Sequence, residues 1–427
     1  MTAPRPAAAI DRIAGYAGTH RHRLAEIVAD LVRIPSENKP PHGAERACQE
    51  YAAEFLRRLG LEPVRYRPDQ IPGVTSHPLY WPGRDYTDRM NVCATRPGSG
   101  GGGRSLILSG HVDTVPSGTQ AWTRSPFSGE ISGNRLYGRG SVDMKGGVAT
   151  GLFALEAMRE LDIQTRGDLL FETVVDEEFG GCNGTLAGRV AGFVADGAVI
   201  LEPSFLRICP AQRGGRTVHL TLEAAGGVLS EGMFPRGVID SLREFLLAVE
   251  EFAAARRRRA AVHPLYAACP DPVPVSLTKI TTGPWGMGEP MTIPEQCQIE
   301  MYWQTMPGET EAEIDAEFAA WLGGLPKPPR VERPIRWLPG SAIDARHPLV
   351  ETLSDAALAQ LGARPKVAGI EGPCDLWIFH EFGIPAVLWG PKGGNLHAAD
   401  EYLELDSASD AAAVLLRLIC DWCGTVD

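Results

Sequence analysis

At 427 residues, with 44% hydrophobic and 22% charged side chains, the chain is too long for one ordinary core and too evenly mixed to stay disordered, so two domains are the natural prior. Its formal net charge of -12 argues against nucleic acid or an acidic membrane face as a partner. Nine cysteines, an odd number spread from Cys48 to Cys423, make no disulfide framework, and Met1 to Ile10 hold no apolar run long enough for a signal peptide or a membrane span; the expected location is the cytoplasm.

Arg23 to Ile34 places apolar residues at helical spacing and stops at Pro35, and a second amphipathic helix from about Gly43 to Leu59 ends at Gly60. Tyr66 to Arg89, rich in Pro, Gly and aromatics, is long for a connection and suits a lid beside a site. Arg89 to Thr95 reads as a strand. Leu106-Ile107-Leu108 is a short apolar run of the kind buried on both faces of a sheet, and it breaks at Gly110 into His111, Val112 and Asp113. Two residues apart on extended backbone, His111 and Asp113 point the same way. That arrangement suits either a metal-binding imidazole backed by a carboxylate or a pair on a surface turn.

The pattern recurs. A short strand at Asn134 to Tyr137 leads into Gly138-Arg139-Gly140-Ser141-Val142-Asp143, and a small-residue-rich, buried helix follows from Gly147 to Leu161. The apolar strand Asp168 to Val175 empties into Asp176-Glu177-Glu178, and Ala198 to Leu201 delivers Glu202. Four apolar strands thus end in an acidic or imidazole side chain. Ligands of open α/β sheets bind beyond the carboxyl ends of the strands, and carboxylates gathered there repel unless a cation sits among them.

Composition changes near Arg213. Thr217 to Ala224 alternates like a half-exposed strand, Val238 to Arg256 forms a long amphipathic helix, Val275 to Ile280 and Glu295 to Tyr302 are further strands, and Leu325 to Pro339 is a Pro-rich exit. This is a separate antiparallel α+β layer. The last section returns to alternation: a helix at Pro348 to Leu361, the strand Ala386 to Trp389, a Gly-rich break carrying His397, and a final helix from about Ser407. Cys420 and Cys423 lie in that helix and read as core packing. The resulting expectation is an α/β protein with three segments: 1–212 and 331–427 form a catalytic domain whose mixed, mostly parallel sheet lies between helices, and 213–330 form an inserted smaller α+β domain.

The motifs SGHVDTVP, GRGSVDMKGG, VVDEEFGG, Leu201-Glu202-Pro203 and NLHAADEY, in this order, resemble those of the M20 metallopeptidase family, which includes acetylornithine deacetylase, succinyl-diaminopimelate desuccinylase, aminoacylase and the glutamate carboxypeptidases. The resemblance implies two metal ions, usually Zn2+ with Co2+ or Mn2+ as alternatives, bridged by Asp143. His111 and Glu202 would complete one site, Glu178 and His397 the other. Asp113 would orient His111, Glu177 would be the general base, and a cis peptide would follow Asp143. The inserted domain would be the family's lid and dimerisation domain, making the chain a homodimer acting on a small molecule.

The chain also departs from that family. Ser230 stands where relatives place an oxyanion-stabilising histidine, and Met291 and Tyr302 replace an Asn and an Arg that commonly bind a substrate carboxylate. Arg216 is one candidate for a substitute donor, with His219 and Arg236 as others. Trp285, Tyr302 and Trp303 hint at a flatter or more apolar substrate. The expected function is a dizinc amidohydrolase cleaving an N-acyl amino acid-like or peptide substrate. The alternatives are a metal-dependent lyase, cyclase or acyl-transfer enzyme on the same scaffold, and a non-catalytic metal-dependent binding protein, which would have no need of Glu177.

Overall fold

The computed structural model describes residues 13, 15–180, 182–228, 236–282 and 292–426. They form two compact units: Met1–Ala211 with Ala342–Gly369 and Cys374–Asp427, and Gln212–Ser341 with Ile370–Pro373.

The first unit is built on a six-stranded sheet in the order Ala386–Leu388, Ala198–Ile200, Leu106–His111, Leu169–Val174, Asn91–Arg96, Val64–Tyr66. The first four strands run parallel, Asn91–Arg96 runs against them, and Val64–Tyr66, antiparallel to Asn91–Arg96, again follows their direction, so the sheet is mixed and mostly parallel. Both faces are covered, which is why the parallel strands are near-continuous apolar runs. Side chains alternate across the pleat. Phe171 lies against Gly151 of the helix Lys145–Glu160, while the next residue, Glu172, accepts from Arg189 of the helix Asn183–Val190. The helix Arg21–Arg33 buries Leu24, Ile27, Val28, Leu31 and Val32, a stripe at helical spacing, and packs on Lys145–Glu160. The last helix, Leu405–Cys423, packs on Lys145–Glu160 and Pro348–Leu361, and Cys420 and Cys423 are buried in it without a disulfide.

The second unit carries a four-stranded antiparallel sheet in the order Val275–Thr281, Gln296–Thr305, Gly214–Glu223, Arg330–Glu332. Its core joins Val218, Leu220, Ile299, Met301 and Trp303 of the sheet to Phe252 of the helix Val238–Arg259 and Phe318 of Glu311–Gly323. Trp303, fully buried, stacks on Phe318 at 4.9 Å between ring centroids. It is therefore a core residue of this unit. Thr310 and Glu313 form a reciprocal cap at the start of Glu311–Gly323. Part of the Pro-rich stretch is an edge strand: Arg330–Glu332 pairs with His219–Thr221, so this unit runs on to Ser341. Ser230, Trp285 and Met291 lie outside the described residues.

Candidate metal centre

The central parallel strands deliver their chemistry to one edge. His111 pairs with Val174, after which come Glu177 and Glu178, and Ser109 pairs with Ile200, two residues before Glu202. Asp143 sits in the turn leading into Lys145–Glu160, with a cis peptide between it and Met144. His397 comes from the loop that follows Ala386–Leu388.

These side chains meet. His111 Nε2 lies 3.3 Å from Asp143 Oδ1, 3.6 Å from Glu202 Oε1 and 3.8 Å from Glu177 Oε2. His397 Nε2 lies 3.2 Å from Asp143 Oδ2 and 3.0 Å from Glu178 Oε2. Each oxygen of Asp143 therefore faces a different imidazole. The carboxylates diverge: burial, with the charges of Asp143 and Glu178, holds Glu202 well above the usual carboxylate range, burial with the charges of Glu202, Asp375 and Glu178 does the same for Glu177, and the two imidazoles hold Asp143 well below that range despite its burial. Burial pushes His111 down, but the surrounding carboxylates outweigh it and hold the imidazole well above its ordinary value.

The donor set fits metal ions. His111, Glu177 and Glu202 bring ligand atoms within 4.8 Å of one another, as do His111, Asp143 and Glu178. His111 Nε2 is buried with no hydrogen-bond partner, a costly state for an imidazole nitrogen unless it serves as a ligand. Imidazole with carboxylate oxygen is a donor set that suits divalent transition metals.

Asp113 does something other than its spacing suggested. His111 Nδ1 lies 2.9 Å from the Asp113 backbone carbonyl, while the carboxylate is 3.7 Å away. The carbonyl thus fixes the ring, and the carboxylate turns to the neighbouring strand end. There it accepts from the backbone amides of Glu177 and Glu178 at 3.0 and 3.1 Å and from Asn38 Nδ2 at 2.9 Å. Both residues of the Glu177-Glu178 pair are held through their own main chain. Glu178 Oε1 also accepts from Val115 N at 3.1 Å.

Glu401 fixes Asp143 in the same manner. Its Oε1 accepts from the amides of Val142 and Asp143 at 3.0 and 3.2 Å, and its Oε2 accepts from Gly140 N at 3.0 Å and Arg139 Nη1 at 2.7 Å. Asn395 Nδ2 donates to the carbonyls of Ala399 and Asp400, which shapes the loop carrying His397.

Of the candidate substrate contacts, Arg216 is buried in the second unit and donates to Glu311 and Asp315 at 2.7 and 2.8 Å, tying sheet to helix. Tyr302 is partly buried on the same sheet, packed against Gly215. His219 faces solvent, 2.9 Å from Glu300. Sequence reasoning missed Asn38, Asp176, Tyr86, Glu401 and the Cys374-Asp375 pair, whose charges and burial couple to Glu177 and Glu202. Glu401 stands four residues after His397 inside NLHAADEY, and Asp176 opens the acidic triplet; those were the available signals.

A mostly parallel sheet carrying an imidazole-carboxylate cluster at its carboxyl edge defines the class: an α/β protein with a metal-binding centre. Residues 107–421 match peptidase family M20/M25/M40. The chain belongs to that family and is one of its amide-hydrolysing enzymes. It is 26% identical to the N-formyl-4-amino-5-aminomethyl-2-methylpyrimidine deformylase of Halalkalibacterium halodurans, over 97% of each chain. Among solved structures it resembles human carnosine dipeptidase 1, with a TM-score of 0.75 and 15% identity over 98% of this chain and 100% of that one. It also resembles the YXEP protein of Bacillus subtilis, described as a dinuclear metal binding peptidase from the M20 family, with a TM-score of 0.60 and 16% identity over 96% and 100%.

Proposed function

We propose that the chain is a zinc-dependent deacylase that removes a small acyl group, formyl foremost, from the amine of a compact substrate lacking the carboxylate of an amino acid. The observation that carries this reading is the convergence of His111, Asp143, Glu178, Glu202 and His397 with Glu177 beside them. His111, Asp143 and Glu202 would hold one ion, and Asp143, Glu178 and His397 the other. When bound, such a metal pair would supply polarisation of the scissile carbonyl and a water acidic enough to attack at neutral pH. Glu177, kept proton-affine by burial and its carboxylate neighbours, takes the proton from that water and passes it to the departing amine nitrogen. Water adds to the carbonyl carbon, the C–N bond breaks, and a carboxylic acid and a free amine leave.

Two features support the formyl substrate: the similarity to the deformylase over the whole chain, and Met291 and Tyr302 where relatives use Asn and Arg for a substrate carboxylate. The ion pairs of Arg216 favour a structural role for it over a substrate contact. The second unit serves as lid and as the surface of a homodimer. In support, Val275–Thr281 ends its sheet and is largely exposed, and Val238–Arg259 exposes Ile239, Leu246 and Leu247. Among the described residues no helix is long and apolar enough to cross a membrane.

The test is turnover of an N-formyl aminomethyl-pyrimidine against N-acetyl amino acids, before and after chelation, with Glu177→Gln as the catalytic control. Formamide hydrolysis that needs metal and is abolished by Glu177→Gln is expected. Activity indifferent to the chelator, or full activity in the variant, overturns the reading.

A further inference from the structure

The segment Trp81–Arg89 lies at the far end of the long connection between the two antiparallel strands of the first unit, and it reaches the acidic strand end from outside. Asp176, immediately before Glu177, is fully buried and has a positive φ of 67°, a left-handed conformation that aspartate tolerates better than most residues and that buried partners fix here. The fixing groups are specific. Tyr86 Oη donates to Asp176 Oδ2 at 2.6 Å, and burial with the adjacent carboxylate keeps that phenol protonated. Arg84 Nε and Arg89 Nη2 lie 3.2 and 3.6 Å from Asp176 Oδ1. Asn38 Nδ2 donates to the same oxygen at 3.2 Å and to Asp113 Oδ2 at 2.9 Å.

Arg84 is itself held. Its guanidinium sits 4.5 Å from the Trp81 ring centroid and donates to the carbonyl of Phe179 at 3.2 Å, on the other side of the Glu177-Glu178 pair. Arg89 is anchored by Glu45, whose oxygens lie 3.1 and 2.9 Å from its Nε. The pair is therefore fastened at both ends by Asp176 and Phe179 and at its own amides by Asp113, with Asn38 joining the two aspartates.

We propose that Tyr86 and Arg84, acting through Asp176, are positioning residues that aim the Glu177 carboxylate at its proton and set the angle at which Glu178 meets its ion, without loss of either ion. None of the three reaches the cluster, so their effect passes through the backbone between 176 and 179. The inference rests on the roles given above to Glu177 and Glu178. Misplacing a reacting group by about 1 Å costs on the order of 100-fold in rate. Loss of the bond from the Tyr86 hydroxyl frees one of several ties on Asp176, so a fall in kcat of about 10- to 100-fold is the expected range.

The experiment uses the full chain loaded with Co2+, comparing Tyr86→Phe, Asp176→Asn and Arg84→Met with wild type. Expected are an unchanged metal stoichiometry, the lowered kcat, a KM within about twofold, and an altered visible absorption of the bound cobalt, because Glu178 shares the tether. Arg67→Ala, which breaks the half-buried Arg67–Asp69 pair on the same connection, is the control and leaves kcat and the spectrum unchanged. If Tyr86→Phe and Asp176→Asn lose melting temperature but keep wild-type kcat and cobalt spectrum, the segment is merely structural and the proposal falls. Should Asp176→Asn fail to fold, Tyr86→Phe decides alone, since it removes one oxygen. Glu177→Gln separates the two levels: if it retains activity, the roles assigned to the pair are wrong; if it is inactive while Tyr86→Phe is normal, only the positioning is wrong.

Discussion

Glu401 offers the sharpest test of how the site is supported, because one carboxylate satisfies three backbone amides and a buried guanidinium. Arg139 and Glu401 are 2% and 1% exposed, so neither has water to fall back on. In Glu401→Gln one oxygen becomes an NH2 group facing donors, and Arg139 keeps its charge without a counter-ion. Breaking a buried pair by removing one partner costs about 3 to 5 kcal/mol, and an amide left facing another donor adds about 1 to 3. These terms overlap, and a net loss on the order of 4 kcal/mol is a large part of the roughly 5 to 15 kcal/mol that stabilises a folded protein. Thermal unfolding of chelated protein, followed by near-UV circular dichroism, should show a drop of about 5 to 10 °C. Cobalt titration should show weaker binding, since the amides of Val142 and Asp143 fix the carboxylate that faces both imidazoles. The double variant Arg139→Gln/Glu401→Gln should recover part of the loss, because it removes the stranded charge. A melting temperature within about 1 °C of wild type in Glu401→Gln would mean that the clamp holds nothing, and the reasoning would be refuted.

Other expectations are independent of that clamp. A Cβ on Gly147, in the first turn of Lys145–Glu160, would overlap the carbonyl oxygen of Leu201, next to Glu202; Gly147→Ala should cut soluble yield and metal affinity together, and a normally folded, fully loaded variant would show that the helix can retreat. Burial lowers the His380 imidazole to about 4 although its bond to the Ala386 carbonyl pulls the other way. Its folded value lies below the unfolded 6.5, so its stabilising share is complete above 6.5 and is lost as pH falls towards 4; the chelated His380→Phe protein should lose less stability over that window, and parallel curves would count against it. Arg216→Ala should lower the melting temperature of the second unit, through the loss of its ties to Glu311 and Asp315, while KM stays near wild type; a large rise in KM would restore it as a substrate contact.

What was legible in the sequence is what lies close together along it. Apolar strands ending in His111, Glu178 and Glu202 are local patterns, and parallel pairing in register brings their ends to one edge without any further information. The supporting groups are a different matter. Asn38 reaches Asp176 across 138 positions, and Arg139 meets Glu401 across 262, so no spacing rule connects them. Asp113 shows the limit most clearly. Extended backbone correctly puts its side chain on the same side as His111, but in this parallel sheet the amides of Glu177 and Glu178 arrive on that side too. Backbone donors at a buried strand end must be satisfied, and they draw the carboxylate away while the carbonyl one bond closer to the chain takes the imidazole. The Pro-rich exit fails for a related reason: Arg330–Glu332 is an edge strand paired on one side, where proline-flanked backbone is tolerated, so composition alone reads it as a linker. Side-chain direction follows from the strand, but the choice of partner follows from which backbone groups the fold leaves unpaired beside it.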